Sequence, residues 1–233
     1  MKQRIGIAVL GLGWMGQAHS RAALRIPSLF PDANFKPELV VCADTEQSRR
    51  DRAVNDFGFA RAVSSFEEAV TAKDVDAVWV TAPNMLHVPM ISAAAAAGKA
   101  IFSEKPIGGT PAQTVEAYKI AQKHSTATGV GYNYLWSPLV IHARELIQSG
   151  AIGRVTHYRG RFLSMYGSDE LGLLTWRFKF AQAGYGVTSD ILSHSVSLAH
   201  FLVGGIKEVT GMKANTITHR PLPTGAASHY GRG

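Results

Sequence analysis

The residues best equipped for chemistry stand in two places. One is Glu104-Lys105-Pro106, directly after the apolar run Lys99-Ala100-Ile101-Phe102-Ser103. If that run is a parallel strand, Lys105 sits at its carboxyl end, where open α/β sheets bind ligands. Its ammonium can hydrogen-bond a substrate hydroxyl and stabilise alkoxide charge as it develops. The other reading is a solvated surface lysine. The second place is Asp190-Ile191-Leu192-Ser193-His194, after the glycine-rich Gly184-Tyr185-Gly186. Residues at this spacing share one face of a helix, so carboxylate and imidazole become neighbours. A neutral imidazole can take a hydroxyl proton while hydride leaves the same carbon, and the carboxylate can orient the ring or stabilise its charged form. The competing uses are a hydrogen-bonded structural histidine and a metal pair. The remaining histidines form no dense ligand set and hydride transfer needs no metal, so no metal is expected.

The amino-terminal stretch offers a cofactor site. Ile5 to Leu10 is a short apolar run, and Gly11-Leu12-Gly13-Trp14-Met15-Gly16 leads from it into a helix beginning at Gln17. The spacing is that of a dinucleotide cradle. Gly11 permits a tight turn, Gly13 lets the backbone approach a pyrophosphate, and Gly16 lets the helix pack on the strand. The helix N-terminus then presents free N–H groups to phosphates. Gly11, Gly13, Trp14, Met15 and Gly16 are therefore candidate cofactor contacts; a purely structural turn is the alternative. After a proline-punctuated loop from Ile26 to Pro37, the strand Glu38–Asp44 ends in an acid. Asp44 there can accept hydrogen bonds from the adenosine ribose and repel a 2′-phosphate, which favours NAD over NADP. It can instead cap the next helix, and Arg49 and Arg50 leave a phosphorylated ribose open.

These residues need elements to hold them. Further strands are expected at 59–63, 75–81, 99–104 and 127–132. Helices between them start at Ser65, run through Ala97, and span Pro111 to His124. Strands alternating with helices imply right-handed βαβ units and a parallel sheet covered on both faces. The fold class is thus α/β. It comprises an N-terminal Rossmann domain with a doubly wound parallel sheet at 1–132, then a partial α+β domain with an incomplete open sheet at 133–233. For the second domain the pattern predicts a helix from Leu139 to Ser149, a strand from Arg154 to Ser164, a helix from Ser189 to Val203, a strand from Lys207 to Ala214, and a loop from His219 to Gly233.

Composition narrows the function classes. The 233 residues carry a net charge of +7, but Lys and Arg are scattered and no nucleic-acid module appears. A basic surface that accepts anionic cofactor phosphates accounts for the charge without nucleic acid. One cysteine, Cys42, excludes an internal disulfide framework and fits a reducing compartment. Met1 runs directly into the first strand, leaving no room for a signal peptide, and the run Ala93 to Ala97 is too short to cross a bilayer. The expectation is a cytoplasmic protein with no membrane partner.

Taken together, the N-terminal glycines, Thr81-Ala82-Pro83-Asn84-Met85-Leu86-His87, Glu104-Lys105-Pro106, Gly131-Tyr132-Asn133-Tyr134 and the Gly184–His194 stretch resemble the glucose-fructose oxidoreductase/inositol dehydrogenase (Gfo/Idh/MocA) family. The resemblance implies an NAD(P)-dependent oxidoreductase interconverting a secondary alcohol and a ketone on a sugar, cyclitol or related polyol. It implies Lys105, Asp190 and His194 as the catalytic set, with a cis Lys105-Pro106 bond. Thr81, Pro83, Asn84, His87, Glu104 and Lys105 become cofactor contacts, and Asn133, Tyr134, Trp176 and Arg177 substrate contacts. A homo-oligomer, dimer or tetramer, is expected. The family includes non-enzymatic members, so a cofactor-binding sensor or regulator is the rival reading. Two positions depart from the pattern: Ser197 stands where many members carry an acid, and Leu135 where many carry an arginine. Members also continue well beyond the last residue here, so the chain looks like a partial form.

Overall fold

Ile7 and Val9 point to one face of the first strand, Ala8 and Leu10 to the other, and all four are buried. A strand apolar on both faces has to lie inside a sheet covered on both sides. This is the architecture of the first of two units, Met1–Gly131 and Tyr132–Gly233, into which the chain divides; the computed structural model describes residues 2–223. The strands are β1 (Gln3–Leu10), β2 (Phe35–Ala43), β3 (Arg61–Val63), β4 (Ala77–Val80), β5 (Ala100–Ser103) and β6 (Thr128–Val130). They form one parallel sheet in the order β3-β2-β1-β4-β5-β6. Strand order reverses between β1 and β4, so the crevice beyond their carboxyl ends is the ligand position of such a sheet.

Helices cover both faces. The helices α1 (Trp14–Leu29) and α2 (Gln47–Phe57) place Ala23, Ala53 and Phe57 against Ile7, Val9, Leu39 and Cys42. On the opposite face α3 (Phe66–Thr71), α4 (His87–Ala96) and α5 (Pro111–His124) bury Val70, Ile91, Ala94 and Ala117 against Ala8, Leu10, Val78 and Val80. Local chemistry sets their ends. The Ser65 hydroxyl accepts the Glu68 N–H at 3.3 Å at the start of α3, and Thr110 accepts the Gln113 N–H at 3.2 Å ahead of Pro111 in α5. The register of β1 with β2 slips between Ile7 and Ala8, which face Leu39 and Val41. Val40 is thus an extra residue, a bulge that lets Leu39 and Cys42, three apart, share one face.

The stretch from Ile26 to Pro37, expected to be loop, is shorter than that. Helix α1 continues through Pro27 to Leu29, and β2 already starts at Phe35 and runs through Pro37. Pro37 pairs with Ile5, in the part of β2 that β3 does not reach, where a residue without an N–H is tolerated.

The second unit holds α6 (Pro138–Gln148), the short α7 (Phe180–Ala183) and α8 (Ser193–Val203). The Arg144 guanidinium of α6 lies over the Phe201 ring of α8, 4.3 Å from its centroid. The helix expected from Ser189 divides into a π-helical turn, Thr188–Leu192, followed by α8. The strands expected at 154–164 and 207–214 are not formed: both segments run without a ladder partner among the described residues. Alternating side chains specify an apolar face, whereas a strand also needs a neighbour for its N–H and C=O groups. Leu163 (89% exposed) and Met212 (99%) accordingly stand uncovered. The loop reading of the tail lies outside the described residues from Thr224 onward.

Candidate active site

Each glycine of the turn after β1 answers to a different constraint. Gly11 has φ +95°, a conformation that strains any residue with a Cβ, and its N–H donates to the Ala43 carbonyl at 2.8 Å. A Cβ on Gly16 would fall 2.1 Å from the Gly11 carbonyl oxygen, so only glycine lets α1 approach this closely. Gly13 is different. Its φ of −68° suits any residue, and a Cβ there would meet no protein atom within 4 Å. It caps α1 without a side-chain hydrogen bond, and the first turn holds no acidic residue. The N-terminus of α1 thus lacks a side-chain cap and begins at a position where added bulk meets no protein atom, as a pyrophosphate site requires.

The turn is braced from two strands. The Thr81 hydroxyl, at the end of β4, donates to the Gly11 carbonyl at 2.6 Å, with the Leu10 carbonyl 3.1 Å away. Asp44, just past β2, accepts the Leu12 N–H at 2.7 Å and the Glu46 N–H at 2.9 Å. It does not cap α2 in the usual sense, since the N-cap of that helix is Glu46. Two of the roughly four acceptor sites on the Asp44 carboxylate are thus committed to backbone. Arg49 stands 3.6 Å from the same carboxylate, and Arg50 donates to the Asp44 and Thr45 carbonyls. Beside it, burial pushes the Cys42 thiol up to about 12, and the Asp44 charge acts in the same direction. Trp14 is exposed, while Met15 and Pro83 are half-buried.

Glu104 and Lys105 follow β5, and the Lys105-Pro106 peptide is cis. The Glu104 carboxylate is 6% exposed; its Oε1 lies 2.8 Å from His19 Nε2, and its Oε2 accepts the Lys105 N–H at 3.1 Å. His87, grouped with the cofactor contacts in sequence, is 1% exposed and lies inside the unit. Its Nδ1 is 2.9 Å from the Pro106 carbonyl and its Nε2 2.7 Å from the Ala82 carbonyl. Burial holds this imidazole below its ordinary value, with the two carbonyls and the Glu104 charge acting against that shift. Asn84 is likewise buried, in the 3₁₀ turn that leads into α4.

In the second unit His194 is buried in an aromatic ring of neighbours. Phe162 stacks on it at 5.7 Å, and Tyr134 and Tyr132 meet it edge-on at 4.7 and 5.8 Å. Burial raises the Tyr132 phenol, with Ser193 hydrogen bonding in the opposite sense. Asp190 lies in the π-helical turn with Arg177 Nε 3.8 Å from its carboxylate, and the Arg177 guanidinium lies over the Trp176 ring at 4.4 Å. Arg177, expected on substrate, stands beside Asp190. Asn133 is exposed at the start of a 3₁₀ turn that also carries Tyr134. Leu135 and Ser197, the two departures from the family pattern, line one hollow of about 720 Å³ with Tyr132, Ser193 and Phe201. Among the described residues no group of three or more His, Cys, Asp or Glu side chains is placed to hold a metal ion.

The sequence motifs gave no role to His19, Tyr132 or Phe162. His19 carried a weak signal, three residues after the buried Gly16 and beside the buried Ser20 on α1. Its partner is 85 residues away, and no local pattern links the two.

A glycine turn at the switch point of a parallel sheet, with an uncapped helix behind it, defines a dinucleotide-binding Rossmann protein. Residues 5–132 match the family described as "Oxidoreductase family, NAD-binding Rossmann fold", and residues 140–229 match "GFO/IDH/MocA C-terminal domain". The chain belongs to the Gfo/Idh/MocA oxidoreductase family. It is 33% identical over 229 residues to levoglucosan dehydrogenase of Pseudarthrobacter phenanthrenivorans, covering 98% of this chain and 59% of that protein. It is 28% identical over 216 residues to scyllo-inositol 2-dehydrogenase (NAD(+)) of Bacillus subtilis, covering 91% of this chain and 58% of that one. A solved structure of levoglucosan dehydrogenase in complex with NADH and levoglucosan superposes with a TM-score of 0.92 at 33% identity, over 96% of this chain and 60% of its own. The chain thus spans less than two thirds of the length of these relatives.

Proposed function

We propose that the protein is an NAD-dependent dehydrogenase that interconverts a secondary alcohol and a ketone on a sugar, cyclitol or related polyol. The observation that carries this reading is the space kept beside Gly13, at the free end of α1, where the fold itself makes no use of glycine. The likeness to a levoglucosan and an inositol dehydrogenase supports the substrate class. Bound nicotinamide would accept or return the hydride. The backbone of Gly11 to Gly16 and the N-terminus of α1 hold the phosphates. Asp44 keeps acceptor capacity for the ribose, and its charge disfavours a 2′-phosphate; tighter binding of NADPH than NADH by titration would overturn this preference.

His194 takes the hydroxyl proton in alcohol oxidation and returns it in ketone reduction. Its aromatic neighbours keep water from the ring, and Asp190 orients it. Lys105 hydrogen-bonds the reacting oxygen, and that bond strengthens as negative charge gathers there. Asn133, Tyr134, Trp176 and Arg177 contribute substrate contacts. We read the protein as a cytoplasmic homo-oligomer, in keeping with its uncovered apolar side chains and single buried thiol.

The experiment is a panel of sugars, anhydrosugars and cyclitols, scored by absorbance of reduced nicotinamide with each cofactor. His194→Ala should lower turnover by about 10²- to 10⁴-fold while NADH affinity stays near wild type. NADH binding with no turnover on any member of the panel would replace the enzyme with a cofactor-binding sensor.

A further inference from the structure

We propose that Lys105 is aimed by two positioning histidines, His19 and His87, which grip the residues on either side of it. The proposal rests on the reading of Lys105 as a site residue. On the amino side, His19 Nε2 lies 2.8 Å from Glu104 Oε1, and the other oxygen of that carboxylate accepts the Lys105 N–H at 3.1 Å. On the carboxyl side, His87 Nδ1 lies 2.9 Å from the Pro106 carbonyl oxygen. Both histidines are anchored in turn. His19 fills a slot between Trp79 of β4 and Phe102 of β5, edge-on to both at 5.8 and 5.3 Å. His87 opens α4, with its second nitrogen 2.7 Å from the Ala82 carbonyl at the end of β4; a neutral ring carries one N–H, and the bracket takes the tautomer with that proton on Nδ1, toward Pro106.

The Glu104 carboxylate has little room to turn. A Cβ on Gly131 would lie 2.9 Å from its Oε1, so the glycine after β6 leaves just the space the carboxylate occupies. With that side closed, His19 Nε2 donates to Oε1 and helps keep Oε2 on the Lys105 amide. A buried carboxylate that loses its donor is left undersolvated and must turn or take a proton; either change releases the amide it held. The His19–Glu104 bond also ties the helix that carries the phosphate cradle to the strand end that carries Lys105. Cofactor and lysine are thereby set in one frame.

The two histidines work through different nitrogens, and this gives a test with crossed outcomes. A glutamine amide nitrogen reaches about as far as Nε2, and an asparagine amide nitrogen about as far as Nδ1. His19→Gln should therefore preserve the bracket and His19→Asn should break it. At position 87 the order reverses: His87→Asn keeps the Pro106 contact and His87→Gln loses it.

The first readout is hydrogen exchange in the 233-residue chain, followed at the Lys105 amide and at Ile101 to Ser103. Breaking the bracket should speed exchange at Lys105 by about tenfold or more, and by clearly more than at Ile101 to Ser103 of β5. The second is steady-state kinetics on a substrate from the panel. A misaimed lysine should lower kcat by about 10- to 100-fold, with NADH affinity by fluorescence titration within about threefold. His19→Leu, which keeps the bulk and lacks the donor, should behave as His19→Asn and add nothing in a Glu104→Gln background. Exchange that rises evenly over α1 and β5 would reduce His19 to a packing residue and overturn the proposal. So would equal behaviour of the Gln and Asn variants, or faster exchange at Lys105 with unchanged kcat. If wild type turns over no alcohol, the dehydrogenase reading fails, and the exchange comparison alone decides the bracket. Where a variant at position 87 does not fold, the His19 set decides.

Discussion

Alanine at Gly13 and alanine at Gly16 should injure the protein in opposite ways, although the residues lie three apart in one turn. At Gly16 the new methyl carbon would sit 2.1 Å from the Gly11 carbonyl oxygen, with Gly11 C at 3.0 Å and the Thr81 hydroxyl at 3.1 Å. A close carbon–oxygen contact is about 3.3 Å, so the turn or α1 must give way by about 1 Å. Overpacking of this kind costs typically about 1–3 kcal/mol, and the upper end applies because the obstructing atom is backbone. Against a whole-domain stability of about 5–15 kcal/mol, that is a visible drop in denaturation midpoint. At Gly13 the same methyl meets nothing within 4 Å and the backbone is already in a region open to alanine. The stability change should stay below about 1 kcal/mol, the scale of an N-cap substitution. The methyl instead occupies the space in front of α1. NADH affinity should fall by at least about tenfold, or about 1.4 kcal/mol. Chemical denaturation and NADH fluorescence titration of both variants measure the two effects. A Gly13→Ala protein that binds NADH within twofold of wild type would refute the reasoning that the cradle is kept open for a phosphate.

Other consequences are open to measurement. The imidazole of His87 is held below its ordinary value of 6.5, so the unfolded chain binds a proton there before the folded one does. Stability is therefore fully present above about pH 6.5 and declines as pH falls through the depressed value; thermal melts from pH 7.5 to 5 should show this, and His87→Asn should flatten the slope. With its thiol pushed up to about 12, Cys42 should resist alkylation in the native protein at neutral pH and label readily in denaturant. Rapid native labelling at pH 8 would contradict that placement. The uncovered Leu139, Leu163, Met165 and Met212 side chains should drive self-association of this length of chain. Light scattering that finds a monodisperse, highly soluble monomer would count against it.

The alternation of short apolar runs with amphipathic helices determined the parallel sheet, because a strand buried on both faces and a crossover helix are written in residues a few positions apart. The roles of Gly11, Gly13 and Gly16 were legible for the same reason: a turn and a helix start are local. What tertiary structure alone decided involves distant partners. The bulge at Val40 changes which residues of β2 face α1 and α2, and a strict period-two reading cannot place it. Asp44 proved to brace Leu12 across the β1–β2 boundary, and Arg177 to stand beside Asp190. His19 and Glu104 meet only because the sheet sets Trp79 of β4 and Phe102 of β5 where the His19 ring of α1 can reach them. The segments at 154–164 and 207–214 carry the side-chain pattern of strands, yet a strand is made by hydrogen bonds to a neighbour. A sequence records the preference of its own residues and leaves the partner to the fold.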